Sequence, residues 1–527
     1  MFNFKKQLLE IQTINGIRDS IIPFLVSYLS QNNNIFYIAK SDLELFQINE
    51  FIIENFDNVD VYPIPAWDCL PFDVSSPNFN IISERVKTFT NISVDYGTRN
   101  KKNVFLTTIN ALFIKTAPID FYKINSISIS QKKKTSFNHI RDFLINIGYT
   151  RVQTVRELAE FSIRGNILDV FPVGHNKGYR IDFLGDYIET IKEMDPLTQR
   201  SNLLVEDINI YPSNEYILND KSIEHFRRKF RSVHGSKSLN SPLYEKITSG
   251  IKFNGIEHFL PLIHTNNLSS IFNFLPKNID LVFLLTKNFL SLLSQREEEI
   301  KNFSDERKLN NVDYKVINSK DLYLTKAEIE HNLKLFKTID LNEFHILENN
   351  QVNLNINSKP LIVDNFLQHI EQNNKINHFI KFCVDEINNN KKIILVTEEK
   401  SKIKSLINFF EQELIEKKIE YNIIEMKELI TNDLQFNFNF TYSPYLESFQ
   451  VDDCYVIFDR DIFGIPKIKR RSWRRKSENF LKDVNAIDNG DLVAHIDHGI
   501  AIYDGLEKIT TNGTDHDCLR LLFCSAS

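Results

Sequence analysis

The sequence predicts a multi-domain α/β protein, broken by a β-rich insert and ending in a short strand-rich segment. Three observations carry this. Residues 1–124 alternate buried apolar runs with helical periodicity, the pattern of a parallel sheet with crossover helices. Residues 125–212 hold a series of short alternating strands bounded by turn residues. After a mainly helical stretch, 213–345, the α/β alternation returns over 346–465, and strand-and-turn patterns resume from 483.

Taken in order, "NIFYIAK" (34–40) is a buried strand, and Ser41 with Glu44 predicts a capping box on the helix that follows. "VDVYPIPAWDCLPFD" (59–73) gives a second strand and a Pro-rich loop, and "VFLTTINAL" (104–112) a third strand running into a helix. The insert offers "SISIS", "RGNILDVFPV", "YRIDFLG", "YIETIKEMD" and "DINIYP", with a helix at 137–147 and Gly185-Asp186 as a hairpin turn. "IDLVFLL" (279–285) is a buried strand. "KKIILVTEE" (391–399) and "CYVIFDRD" (454–461) are strands of the second α/β unit, with helices near 366–387 and 400–418. Residues 466–482 form a basic linker, and 483–527 predict a small β-barrel whose last strands are missing.

Composition narrows the function classes. The chain has 527 residues, is 42% hydrophobic and 25% charged, and carries a formal net charge of -6. That balance gives no global nucleic-acid signature, so any such contact must be a local patch. Five cysteines without a CxxC pair argue against a zinc site or a disulfide framework, and a cytoplasmic location is expected. No signal peptide is evident, and no apolar run approaches the roughly 20 residues that span a bilayer.

A nucleotide site needs a Gly-rich turn, a lysine and a Ser/Thr. "TINGIRDSI" (13–21) supplies Gly16 and Ser20 but no Gly-Lys pair, and "HGSKS" (234–238) has the wrong order. Asp459, ending "YVIFD", resembles a Walker-B carboxylate but reads better as a strand-end group in a loop. His495, Asp497 and His498 are metal-ligand types without a supporting cluster, and read as turn or structural residues.

Two patches remain. Lys467, Lys469, Arg470, Arg471, Arg474, Arg475 and Lys476 crowd one stretch around Trp473. They suit either a solvated linker or a phosphate-contacting tether through Arg470, Arg471, Arg474 and Arg475. In Tyr179–Leu184, Tyr179, Ile181 and Phe183 make a core face, which leaves Arg180, Asp182 and Leu184 on the exposed one. Arg180 and Leu184, joined by Arg164 from a neighbouring strand, have the composition of an interface centre, although surface charges beside a loop-packed leucine fit the pattern equally.

Several blocks in order resemble the bacterial transcription-repair coupling factor family. "PIPAWDCLPFDVSSPNFNIISERV" is similar to its N-terminal signature, and residues 163–201 to a block it shares with the excision-repair protein UvrB. "ITSGIKFNGIEHFLPLI" fits the following segment, and "RDIFG", the basic linker and "GDLVAHIDHGIAIYDGL" fit the entry to its RNA-polymerase-interacting domain. The resemblance implies a UvrB-like module over 1–345, whose nucleotide-hydrolase-like fold has lost its P-loop. It places a UvrA-binding surface on the insert, at Arg164, Arg180 and Leu184; the family often carries an aromatic residue at the last of these. It further implies an SH3-like domain from 483 that meets the RNA polymerase β subunit near Ile509. In the family, ATP and Mg2+ drive a translocase on double-stranded DNA. That motor is not found in this sequence, so no cofactor is expected here and the chain reads as a fragment or a truncated gene product, for which a frameshifted "CSAS" tail is one reading. A UvrB-like excision-repair enzyme and an inert truncated product are the alternative readings.

Overall fold

The computed structural model describes residues 10–94, 101–131, 134–235, 241–275, 280–310, 316–343, 353–356, 358–360, 372–431, 434–443, 448–463, 492–495, 499–511 and 514–523. The chain divides into two compact units, 1–466 and 467–527.

The first unit opens with β1 (Thr13–Asn15), α1 (Ile22–Ser30), β2 (Asn34–Ala39), α2 (Asp42–Asn55), β3 (Val59–Ile64), α3 (Phe79–Val94) and β4 (Lys102–Thr108). Every residue of β2 is buried, as the uninterrupted apolar run predicts for a central parallel strand. The Ser41 hydroxyl accepts from the Glu44 amide at 3.3 Å, so that half of the expected cap forms. The reciprocal half does not. The Glu44 carboxylate accepts instead from the Lys40 amide at 2.9 Å and the Tyr37 hydroxyl at 2.5 Å, because α2 packs the carboxylate against the end of β2.

The insert contributes β5 (Ile127–Ser130), β6 (Thr150–Arg151), β7 (Glu160–Arg164), β8 (Ile167–Phe171), β9 (Gly178–Leu184), β10 (Tyr187–Met194), β11 (Ser201–Leu204) and β12 (Asp207–Ile210). Strands β6 to β11 form one sheet in the order β11-β10-β9-β8-β7-β6, antiparallel except for β6–β7, and β5 pairs with β12 apart from it. Phe161, Leu168, Val170, Ile181, Phe183 and Ile191 close its inner face. The helix Phe137–Asn146 belongs to the same core, and Phe137 meets Phe183 edge-on at 5.0 Å.

Next come β13 (Leu281–Leu285), β14 (Lys337–Asn342) and β15 (Asn353–Asn355). They join the opening strands in a seven-stranded parallel sheet ordered β15-β1-β14-β13-β2-β4-β3. A third sheet, β16-β20-β21-β17-β19-β18, is built from β16 (Ser358–Pro360), β17 (Lys392–Thr397), β18 (Tyr421–Ile423), β19 (Phe438–Tyr442), β20 (Phe449–Val451) and β21 (Cys454–Phe458). Asp459 corrects the loop expectation. It is the first residue of the helix Asp459–Phe463, where a carboxylate favours the helix N-terminus.

Helix α1 is buried on nearly every side because it lies between two sheets. Phe24, Leu25 and Leu29 share one apolar cluster with Ile35, Leu106 and Leu284 of the seven-stranded sheet and with Val396, Phe449 and Val456 of the third. Phe24 meets Phe51 at 4.9 Å and Phe449 at 5.4 Å.

Buried Arg85 on α3 pairs with Glu215 at 2.6 Å and donates to the Pro65 carbonyl at 2.9 Å, and its guanidinium lies 5.8 Å from the Trp67 ring centroid and 5.3 Å from that of Phe89. The block "PAWDCLPFD…ISERV" is thereby locked to the strand exit beyond β12.

The second unit contains β22 (Leu492–His495), β23 (Gly499–Thr511) and β24 (Thr514–Phe523), an antiparallel meander. Ile509 lies on β23 opposite His516; its side chain is outside the described residues. Arg470, Arg471, Arg474, Arg475, Asp497 and His498 also lie outside them.

Candidate docking face and strand-end ion cluster

Strand registers place the outer-face residues of the insert sheet in rows. Ser162, Asp169, Arg180, Lys192 and Leu204 form one row, and Arg164, Ile167, Asp182 and Thr190 the next. Leu184 and Tyr187 close the β9–β10 hairpin beyond them. The two-residue turn Gly185-Asp186 forms as expected, with Gly185 at φ 63°, where a side chain would be strained. The face therefore passes from a charged centre to an apolar hairpin tip.

The centre corrects one expectation. Arg180 does not stand on an open wet face: its side chain is only 20% exposed. Its Nε donates to Asp169 at 2.7 Å and its Nη2 donates to the same carboxylate at 3.0 Å. Asp169 is 1% exposed. Its hydrogen bonds with Arg180 hold that guanidinium above its ordinary pKa. Alternation in β9 could not reveal this, because the buried partner comes from β8. Arg164 also donates to Asp169, at 2.5 Å, yet remains 54% exposed. The two arginines thus differ in kind: Arg180 orders the face, and Arg164 offers an open cation. In the next row Asp182 accepts from Thr190 at 2.6 Å and from Lys192 at 3.5 Å.

At the tip Leu184 is 68% exposed, so it does not pack beneath a loop. Tyr187, which the sequence reading passed over, is 53% exposed directly across from it. The signal was present in "FLGDY": a two-residue turn sets Leu184 opposite Tyr187. The structure brings Arg164, Arg180 and Leu184 onto one face of one sheet. Ile509 lies in the other unit.

The second candidate site is where the parallel strands end. After β1 the chain turns at Gly16, with φ 76°, and enters α1, so "TINGIRDSI" has strand–turn–helix geometry. Asp19 stands there, paired with Lys40 and with Lys287 at 2.8 Å. Glu343 pairs with Lys287 at 3.6 Å and Arg18 at 3.3 Å. Burial opposes ionisation of Asp19, but the two lysines outweigh it and hold the carboxyl below its ordinary value. A carboxylate already holds both cations, and no lysine follows the glycine. These residues do not fit the phosphates of a nucleotide.

Among the described residues no His, Cys, Asp and Glu group could hold a metal ion, and no helix is long and apolar enough to cross a membrane.

Comparisons with known proteins agree with the sequence resemblance. Residues 127–216 match the family described as the UvrB interaction domain, and 487–525 match the CarD-like/TRCF RID domain. The transcription-repair-coupling factor of Rickettsia bellii is 29% identical, over 94% of this chain and 42% of its own length. That of Haemophilus influenzae is 25% identical over the same shares, and that of Escherichia coli 23% identical over 90% of this chain and 40% of its own. The chain thus spans about two fifths of the length of these curated relatives.

Proposed function

We propose that this chain, which aligns over nearly all its length with transcription-repair-coupling factors, is a protein-docking platform in transcription-coupled nucleotide excision repair. The outer face of the insert sheet recruits UvrA through Arg164, Arg180 and Leu184. The strand-rich end contacts the RNA polymerase β subunit near Ile509. One observation carries the first assignment: within the matched UvrB interaction domain, an open arginine and an exposed apolar hairpin tip share one face, ordered by a buried carboxylate. Interface centres are enriched in arginine and aromatic groups, set in a patch that excludes water.

In this reading the seven-stranded sheet is a nucleotide-hydrolase-like scaffold without a working phosphate loop, and 483–527 is an SH3-like element. The ion cluster around Asp19 supports the former, and the β22–β24 meander suits the latter. ATP-driven displacement of polymerase along double-stranded DNA, which the family resemblance implies, is not assigned to any residue of 1–527. Arg470, Arg471, Arg474 and Arg475 would add a phosphate contact, recognised by binding to duplex DNA that falls steeply with salt. A cytoplasmic location follows from this role.

The test is association of the purified chain with purified UvrA. Arg164→Glu should weaken it at least tenfold while leaving circular dichroism unchanged. Undiminished binding would refute the assignment. The UvrB-like enzyme reading predicts saturable ATP binding, which the Asp19 cluster argues against.

A further inference from the structure

We infer that Tyr187 is an anchor of the UvrA-docking face, acting with Leu184 as a composite apolar knob at the hairpin tip. This rests on the docking reading above and goes beyond it by adding a residue and a chemistry. Directly opposed residues of an antiparallel pair project from the same face with their Cβ atoms about 4.5–5.5 Å apart. Leu184 and Tyr187 are such a pair, on the side that carries Arg164 and Arg180. Both are more than half exposed, so neither contributes to the insert's core.

The tip is also held in place. Lys134 bridges to Tyr187, and the Thr135 amide donates to the Asp186 carbonyl at 2.8 Å. A tyrosine on a pinned two-residue hairpin offers a broad ring with few torsions to freeze, the property that favours tyrosine in paratopes and at hot spots. The matching surface on UvrA would then be an apolar recess that takes a leucine and a phenol ring, rimmed by carboxylates that accept from Arg164. The leucine alone lacks the area of such an anchor; the ring across the turn supplies it.

The test measures UvrA affinity of the full chain for Tyr187→Ala, Tyr187→Thr and Tyr187→Phe beside Leu184→Ala and Arg164→Glu. Threonine keeps strand propensity, so it guards against a misfolded alanine variant. We expect Ala and Thr to weaken binding at least tenfold with unchanged thermal melting, and Phe to stay within threefold of the parent. If Ala and Thr both bind within threefold while Leu184→Ala and Arg164→Glu lose affinity, the Tyr187 inference is wrong and the docking reading stands. If Leu184→Ala and Arg164→Glu also bind normally, the docking reading itself falls, and this inference with it.

Discussion

Arg180→Ala should loosen the insert sheet, although a charged residue on an outer face invites the opposite expectation. The substitution removes the hydrogen bonds from Nε and Nη2 to Asp169, a carboxylate that is 1% exposed, and leaves Arg164 as its described cationic partner. Breaking a buried ion pair by deleting one side costs about 3–5 kcal/mol. The partial exposure of Arg180 and the surviving bond from Arg164 reduce this to roughly 2–3 kcal/mol. The first unit is too large for a simple two-state melt, so the readout is amide hydrogen exchange in β8 to β10. A loss of that size accelerates exchange through opening of the sheet by about 30- to 150-fold. Arg164→Ala, which removes the more exposed partner, should cost under about 1 kcal/mol. Adding Asp169→Asn to Arg180→Ala should restore part of the protection, because a neutral amide is cheaper to leave without a guanidinium. Exchange within threefold of the parent in Arg180→Ala, or an equal loss in Arg164→Ala, would refute the division between an ordering and an open arginine. It follows that a binding defect in an Arg180 variant says little about contact unless folding is measured beside it.

Three further outcomes follow from the same packing. Arg85→Ala strands Glu215, whose side chain is 0% exposed, and should cost about 3–5 kcal/mol, seen as a lower urea midpoint. Gly255→Ala should destabilise by at least about 1 kcal/mol, since its φ is +85° and a Cβ would lie 2.9 Å from the Asp73 carbonyl oxygen; a melt unchanged from the parent would disprove this. Burial lowers the pKa of His175, His258 and His264 to about 4, so the unfolded chain binds more protons than the folded one between that value and 6.5. Stability should therefore fall on acidification from pH 7 to 5.5, by roughly 1 kcal/mol per histidine. Replacing the three by glutamine should flatten the profile in that window.

What the sequence made legible was periodicity and turn chemistry. The β9–β10 hairpin, its core face of Tyr179, Ile181 and Phe183, and the buried run of β2 could all be read from alternation or its absence. Pairing between distant segments could not. Asp169 in "ILDVF" looks like an ordinary outward residue of a strand, and only the neighbouring strands show that two arginines cover it. Glu44 was in the right place for a capping box, but tertiary contact offered its carboxylate the Tyr37 hydroxyl instead. β1, β15 and β18, each three residues long, are too short for a period to emerge. Tyr187 is hidden for another reason: alternation within β9 does not identify the residue that faces Leu184 across the turn.

The helix held between two sheets constrains how the molecule can be taken apart. Phe24 touches both α2 and β20, so α1 is a shared beam and not a boundary. A chain cut near residue 345 would lay bare one flank of α1 and the apolar underside of the strands that grip it, and would tend to aggregate. Tension entering through the third sheet would pass into the seven-stranded sheet through the side-chain interlock at α1. In the proposed docking role, that interlock would carry load from one sheet to the other.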